Sequence, residues 1–411
     1  MKSTEALVVG GGPVGLLAAL CLDHRDVQVR VVDARGRRPV RGYACGLHSS
    51  TLTLLNELRL LPEVLALGHR IDRVAVYRDS QRIGTVDLGC FGGLYPYALA
   101  LAQSDLEDIL VEALERRHVP VSWGHEVTHL VLNATSVNVT VLSRSSAAHA
   151  GPTVASPSRT AQSDTHRVHY VVGADGYDSG CRQALGIDWV SGRRSQVFAV
   201  CEFLADLSGW EHEARVILTE GAVNAFWPLG PNLGRWTFQV QSGLDEPPST
   251  GSLRAWIHER ATWFTPTAEE LCWGALAEFP ERRARRFGSG RIWLAGDSAH
   301  STSPLGFQSL NRGLREASEL AAAISQTCHD REPRACRFEH FDLAQQNEWR
   351  RLFDAEARVS GDAVLASADG SRLVPCLPAT GAELDALLEQ LGVTLREGNV
   401  PATTLFASRK K

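Results

Sequence analysis

Long apolar runs are missing from this sequence. No segment approaches the roughly 20 consecutive apolar residues that a membrane-spanning helix requires. Charge of one sign is equally scarce. The 42 Lys and Arg residues nearly balance 47 Asp and Glu, and a net charge of -5 argues against nucleic acid or an anionic membrane as partner. The basic cluster of Arg282, Arg283, Arg285, Arg286 and Arg291 reads as a solvated turn. No secretory leader pattern is present, because Met1–Glu5 runs straight into an apolar strand. The nine cysteines are odd in number and irregular in spacing, which fits reduced thiols in a cytoplasmic protein better than a disulfide framework. Cys328, Cys336 and His340 come nearest to a metal cluster, but their spacing matches no zinc motif, so no metal is expected. No internal repeat is visible.

What remains is an α/β pattern in a chain of 411 residues, long enough for two domains or one elaborated domain. The first forty residues read strand, glycine turn, helix, strand: "ALVVG", "GGGPVG", "LLAALCLDHR", "VQVRVVDAR". Helical periodicity returns in "SSTLTLLNELRLL" and "SDLEDILVEALERR", where Ser104 and Glu107 have capping-box spacing. Between them "IDRVAVYRDSQRIGTVDL" reads as a strand pair turning at Asp79 and Ser80. A Ser/Ala/Thr-rich stretch, residues 144–166, reads as a flexible hairpin loop. Residues 186–286 read mostly as strands, and the chain beyond about Arg334 reads as helical.

Three motifs join a strand end to a glycine and an acid. Gly10-x-Gly12-x-x-Gly15 lies between a strand and a helix, with Asp33 closing the next strand. Such glycines let the backbone approach a pyrophosphate at a helix N-terminus, and the acid can accept from a ribose. Asp175-Gly176 and Gly296-Asp297 each follow an apolar strand, with Ser179 and Arg182 at fixed offsets from the former. Either acid can take a ribose or ribityl hydroxyl, or cap the following helix.

Taken in order, "GGGPVG", "GADGYDSGCR" and "AGDSAHSTSPLGFQSLNRG" resemble the FAD-dependent class A aromatic hydroxylases of the para-hydroxybenzoate hydroxylase type. "RGYACGLHSSTLTLLNEL" and "LAQSDLEDIL" look like two further segments of that family, and the likeness covers roughly residues 5–345. The resemblance implies a discontinuous Rossmann-like (GR2-type) FAD-binding domain over 1–70, 98–185 and 287–345. An interleaved, mostly antiparallel β-sheet substrate domain would occupy 71–97 and 186–286, followed by a helical C-terminal segment, 346–411.

By the same resemblance, FAD would lie with its adenosine end on Gly10, Gly12, Pro13, Val14 and Gly15 and on Asp33, Ala34 and Arg35. Arg41, Gln103 and Asp175 would also contact it, and Gly296-Asp297 would hold the ribityl chain. The loop Pro304, Gly306, Phe307, Gln308, Ser309, Leu310 and Asn311 would face the pyrimidine edge of the flavin, with Ser309 a possible helix cap. NADPH or NADH would reduce the flavin transiently, and O2 would form a flavin hydroperoxide that hydroxylates or epoxidises an aromatic or polyketide-like substrate. Secondary metabolism is the implied setting, with a monomer or homodimer as the working form. Phe226, Trp227 and Pro228 would overhang the ring. Arg41 and His48 are the catalytic candidates, His48 either as a base or as a partner for a backbone carbonyl.

The family pattern Pro-x-Gly-Gly-Gln-Gly-x-Asn is altered here. Phe307 and Ser309 replace two glycines, and Glu316 stands where relatives carry Asp. Glycine at these positions would permit positive φ and close packing, so Phe307 is expected to disturb both. An oxidase, a non-redox cyclase or isomerase, and a flavin-free binding protein are therefore the alternatives.

Overall fold

Ala6–Val9 is buried at every position, as a strand covered on both faces must be. In the computed structural model of the protein, which describes residues 4–36, 42–90, 93–143, 162–244, 246–329, 335–353, 359–360 and 372–395, this strand is central to a six-stranded sheet. Val29–Asp33 and Val121–Trp123 lie to one side, Tyr170–Gly173 and Ile292–Leu294 to the other, all parallel to their neighbours. Gly288–Ser289 closes one edge as an antiparallel hairpin. Because the chain leaves Ala6–Val9 for both sides of the sheet, the carboxyl end of that strand is a topological switch point, where open α/β sheets form a crevice.

The second large sheet has eight strands, in the order 300–301, 270–284, 189–204, 233–240, 222–228, 213–219, 73–78 and 81–87. All its pairings are antiparallel except Glu213–Thr219 with Arg73–Arg78. The expected turn at Asp79 forms, with Asp79 at φ 53°. One face packs on helix Thr250–Arg260 through Phe203, Phe226, Trp236 and Phe264. The other packs Phe198, Val200 and Trp227 against Leu305, Phe307 and Leu373–Leu377.

Two helices bind the parallel sheet together. The 22-residue Gln308–His329 buries Leu310, Leu314, Ala317, Ala321 and Ile324, whose alternating spacings of four and three residues form one helical stripe. It crosses Pro13–Asp23 closely enough that a Cβ on Gly313 would sit 2.9 Å from the Gly296 Cα and 2.8 Å from Val14. Glycine at 313 is what lets helix and strand end meet.

Three local expectations need correction. Helix Gln103–Arg116 starts one residue before Ser104, with Ala102 at its N-cap, so no Ser104–Glu107 capping box forms. Glu107 instead accepts from Gln103 at 2.9 Å. Ser309 does not cap either, because its helix already begins at Gln308. Residues 144–161 of the expected flexible loop lie outside the described residues, while Gln162–Val168 pairs as a strand with Val137–Ser143. Helix Ala335–Phe353 begins the helical C-terminal region. Among the described residues no helix is long and apolar enough to cross a membrane.

Candidate cofactor and active site

At the switch point the strand ends open into a cavity of about 900 Å³. Gly10 (φ 112°) lines it, and Gly15 packs behind Gly10. A Cβ on Gly10 would stand 2.1 Å from the Ala174 carbonyl oxygen, and one on Gly15 would stand 2.0 Å from that of Gly10. Gly12 is different, since a Cβ there would meet nothing within 4 Å and would project into open space. Gly12 is also the N-cap of helix Pro13–Asp23, has no side-chain cap, and is followed by proline at N1. The helix thus presents uncapped first-turn amides toward the cavity, a ready anion site. Pro13 and Val14 line the same wall, and Val14 packs on Gly296.

Asp33 is more committed than its sequence suggested. Its Oδ2 accepts from the Gly11 amide (2.6 Å) and from Arg35 (2.9 Å), and Oδ1 accepts from the amide and Nε of Arg35 (2.7 and 2.9 Å). Burial works to raise its pKa, but the hydrogen bonds and charge of Arg35 and the Gly11 amide outweigh this and hold it below the ordinary value. These four donors fill the carboxylate's capacity, so a ribose hydroxyl must displace Arg35, whose side chain is about half exposed. Asp175 is similarly engaged: it accepts from Ser179 Oγ (2.5 Å) and from the Cys181 amide (2.9 Å) at the start of helix Gly180–Ala184. The N-cap of that helix is Ser179, and Asp175 braces it from behind while still bordering the cavity.

Asp297 is the free acceptor. It follows Gly296 (φ 66°) and opens onto the cavity, with no protein hydrogen bond to its carboxylate among the described residues. Its side chain is exposed within the cavity, yet the protein atoms packed around the turn cost its charge hydration and raise its pKa, an effect opposed by His300 and reinforced by Glu316. The turn is fixed from behind. Glu316, fully buried, accepts from the Gly296 amide (3.0 Å) and His300 Nε2 (2.8 Å) with Oε2, and from Trp349 Nε1 (2.8 Å) with Oε1. Burial pushes Glu316 up, but His300, Arg312 and the Trp349 donor win and leave it below the ordinary carboxylate range. His300 lies stacked on Trp349 with centroids 3.9 Å apart.

The loop from Pro304 divides its residues between cavity and core. Pro304, Phe307, Ser309 and Leu310 border the cavity. Gly306 is shut away, since a Cβ there would meet the Pro375 carbonyl oxygen at 2.6 Å. Gln308 donates through Nε2 to the carbonyls of Leu377 and Ala379, both at 2.7 Å. Asn311 accepts from the His48 amide and Thr51 Oγ1 and donates to the carbonyls of Gly46 and Phe307. These three residues brace the loop rather than face the cavity. Phe307 adopts φ 57°, the left-handed conformation for which glycine was expected to be needed. Its ring does not block the loop; it turns into the core against Trp227, with centroids 4.8 Å apart.

Several expected positions fall elsewhere. His48 is fully buried, with Nε2 2.7 Å from the Gly306 carbonyl oxygen. Burial lowers its pKa to about 4, so it is neutral and outside the cavity, and its carbonyl-partner alternative is the one realised. Phe226, Trp227 and Pro228 do not overhang the cavity. Phe226 belongs to the core on the helix side of the sheet, and Trp227 donates to the Leu305 carbonyl on the other. Arg41 lies outside the described residues. The aromatic wall comes instead from Tyr43 and Phe279, in edge contact at 5.5 Å, with Ala277 and Glu278 beside them. Gln103 lines the cavity next to Gly42. No sequence signal pointed to Ala277–Phe279, because strand Glu270–Ala284 shows no motif.

The arrangement suits a dinucleotide. An uncapped helix end, an open Gly12 cradle and an unpartnered acid at Asp297 stand along one groove. Residues 3–335 match the family described as "FAD binding domain". The chain is 27% identical over 324 residues to a 6-methylpretetramide 4-monooxygenase of Streptomyces rimosus, covering 77% of this chain and 55% of that protein. It is 27% identical over 333 residues to a para-nitrophenol 4-monooxygenase of Pseudomonas sp. (strain WBC-3), covering 77% of each. The crystal structure of a p-nitrophenol 4-monooxygenase from Pseudomonas putida shares the fold, with a TM-score of 0.73, 21% identity and 95% of each chain covered. The chain spans only 55–62% of the length of the first three curated relatives it matches. It belongs to the FAD-binding-domain family of the class A flavin monooxygenases, whose cofactor is FAD.

Proposed function

We propose that this protein is a monooxygenase using FAD, NADPH or NADH, and O2 to hydroxylate or epoxidise an aromatic or polyketide-like small molecule in secondary metabolism. It would work in the cytoplasm as a monomer or homodimer. One observation carries the reading: a single cavity joins the dinucleotide-type strand ends to the aromatic pair Tyr43 and Phe279 on the other sheet. The overall balance for hydroxylation is substrate–H, O2, NAD(P)H and one proton giving substrate–OH, water and NAD(P)+.

In this reading the discontinuous unit 1–70, 98–185 and 287–345 binds FAD, and 71–97 with 186–286 bears on the substrate. Gly10, Gly12 and the amides after Pro13 receive the pyrophosphate, and Asp33, Ala34 and Arg35 receive the adenosine ribose. Asp297 accepts from the ribityl hydroxyls, with Gly296 held in place by Glu316. Gln103 and Asp175 flank the groove, and Pro304, Phe307, Ser309 and Leu310 stand beside the reacting end. When bound there, FAD would supply the hydride-accepting and O2-reducing chemistry. Tyr43 and Phe279 would exclude water from that end. His48, neutral and buried, supplies no proton. The relatives named for 6-methylpretetramide and para-nitrophenol both act on aromatic compounds, and that class is adopted here.

The test is NAD(P)H consumption by the FAD-loaded protein with a panel of phenols and aromatic polyketides under isotopically labelled O2. Substrate-dependent consumption with one labelled oxygen in the product supports the proposal. Consumption that yields only hydrogen peroxide with every compound points to the oxidase alternative.

A further inference from the structure

Phe307 holds a conformation that bulky side chains avoid, and its ring is buried in a place shaped for it. The residue is 4% exposed at φ 57°. Gly46 faces it: a Cβ built on Gly46 would lie 2.3 Å from Phe307 Cδ2 and 2.5 Å from Cε2. Trp227 meets the ring at 60° from the other strand system. The indole N–H is already given to the Leu305 carbonyl, so it offers the slot no free donor. Cys45, Leu305 and Cys376 belong to the same buried apolar cluster. Yet the same Phe307 also borders the large cavity. A strained residue kept at a ligand site is grounds for seeking a role in the site.

We propose that Phe307 is a built-in occupant of an aromatic-ring slot and thereby a specificity-determining residue. The slot between Gly46 and Trp227 adjoins the cavity and takes a flat, unsubstituted ring, because its walls are apolar and its one N–H is engaged. While Phe307 fills it, a ligand ring is confined to the Tyr43 and Phe279 side. A smaller side chain at 307 opens the slot to a second fused ring, and glycine there also relieves the left-handed backbone. The assignment rests on the monooxygenase reading and deepens it by fixing which side of the cavity a substrate ring can occupy.

Two binding measurements on the FAD-loaded protein test it without relying on turnover. Benzene is titrated into wild type, Phe307→Gly and Phe307→Ala while Tm is followed; a dry apolar void of this kind binds benzene and gains stability from it. A saturable rise in Tm in either variant, absent in wild type, is expected. Calorimetry then compares 1-naphthol with phenol, and the naphthol-to-phenol affinity ratio should rise roughly tenfold in the variants. Loss of both effects in whichever variant folds, or an equal benzene response in wild type, overturns the proposal. Absence of oxygenated products in the separate turnover assay would count against the monooxygenase reading, and these binding results would still decide the role of Phe307.

Discussion

Gly46 and Phe307 are complementary: the glycine lacks a side chain where the phenylalanine ring lies, 2.3 Å from the position a Cβ would take. Gly46→Ala should therefore destabilise the fold by about 1–3 kcal/mol through overpacking. Adding Phe307→Ala should recover part of that loss, because the two sites share one volume. Urea denaturation of the two single variants and the double variant checks this. Strictly additive effects would contradict the contact.

Asp297→Ala should weaken FAD binding about 10- to 100-fold, since a charged acceptor of the ligand is lost. Asp297→Asn, which keeps an acceptor oxygen, should lose less. Titration of the apoprotein with FAD, followed by flavin fluorescence, measures both. Unchanged affinity in the alanine variant would remove Asp297 from the site.

His48 predicts acid sensitivity. Its pKa falls from 6.5 to about 4 on folding because burial disfavours the charged ring. Between those values the unfolded chain binds a proton that the folded protein does not, so stability rises with pH across this window and is lost as pH falls through it. The loss amounts to about 3 kcal/mol by pH 4. His48→Gln keeps a donor toward the Gly306 carbonyl without titrating. Its stability should be flatter between pH 6.5 and 4, and a slope as steep as wild type would refute the assignment.

Glu316→Gln should destabilise the protein by on the order of 3 kcal/mol, the effect of removing one charge from a buried polar network. Both carboxylate oxygens face donors, the Gly296 amide and His300 on one and Trp349 on the other. An amide must turn its NH2 toward one of them. Chemical denaturation and FAD affinity should fall together, because the same carboxylate holds the Gly296-Asp297 turn. Wild-type stability in this variant would show that the network is not ionised.

The strand ends were legible because their physics is local. A buried parallel strand, a glycine turn and an acid at its carboxyl end can be read within a dozen residues, as at Ala6–Gly15 and Ile292–Asp297. What those acids do was less legible. Asp33 and Asp175 have the same sequence look as Asp297, yet Arg35, Ser179 and the Cys181 amide occupy them and leave Asp297 free. The sides taken by Phe226 and Trp227 are not legible, because strand alternation shows that neighbours face opposite sides without showing which side is the cavity. From sequence alone Phe307 looks like an obstruction, because its partner, Gly46, lies 261 positions earlier in the chain. The Leu373–Ala379 segment that buries Gly306 carries no motif.

The most direct measurement is the ultraviolet–visible spectrum of the purified protein, followed by identification of any released cofactor. The account predicts flavin absorption bands, either as isolated or after incubation with FAD, and FAD released on denaturation in near-equal proportion to protein. A colourless protein that takes up no FAD would contradict it.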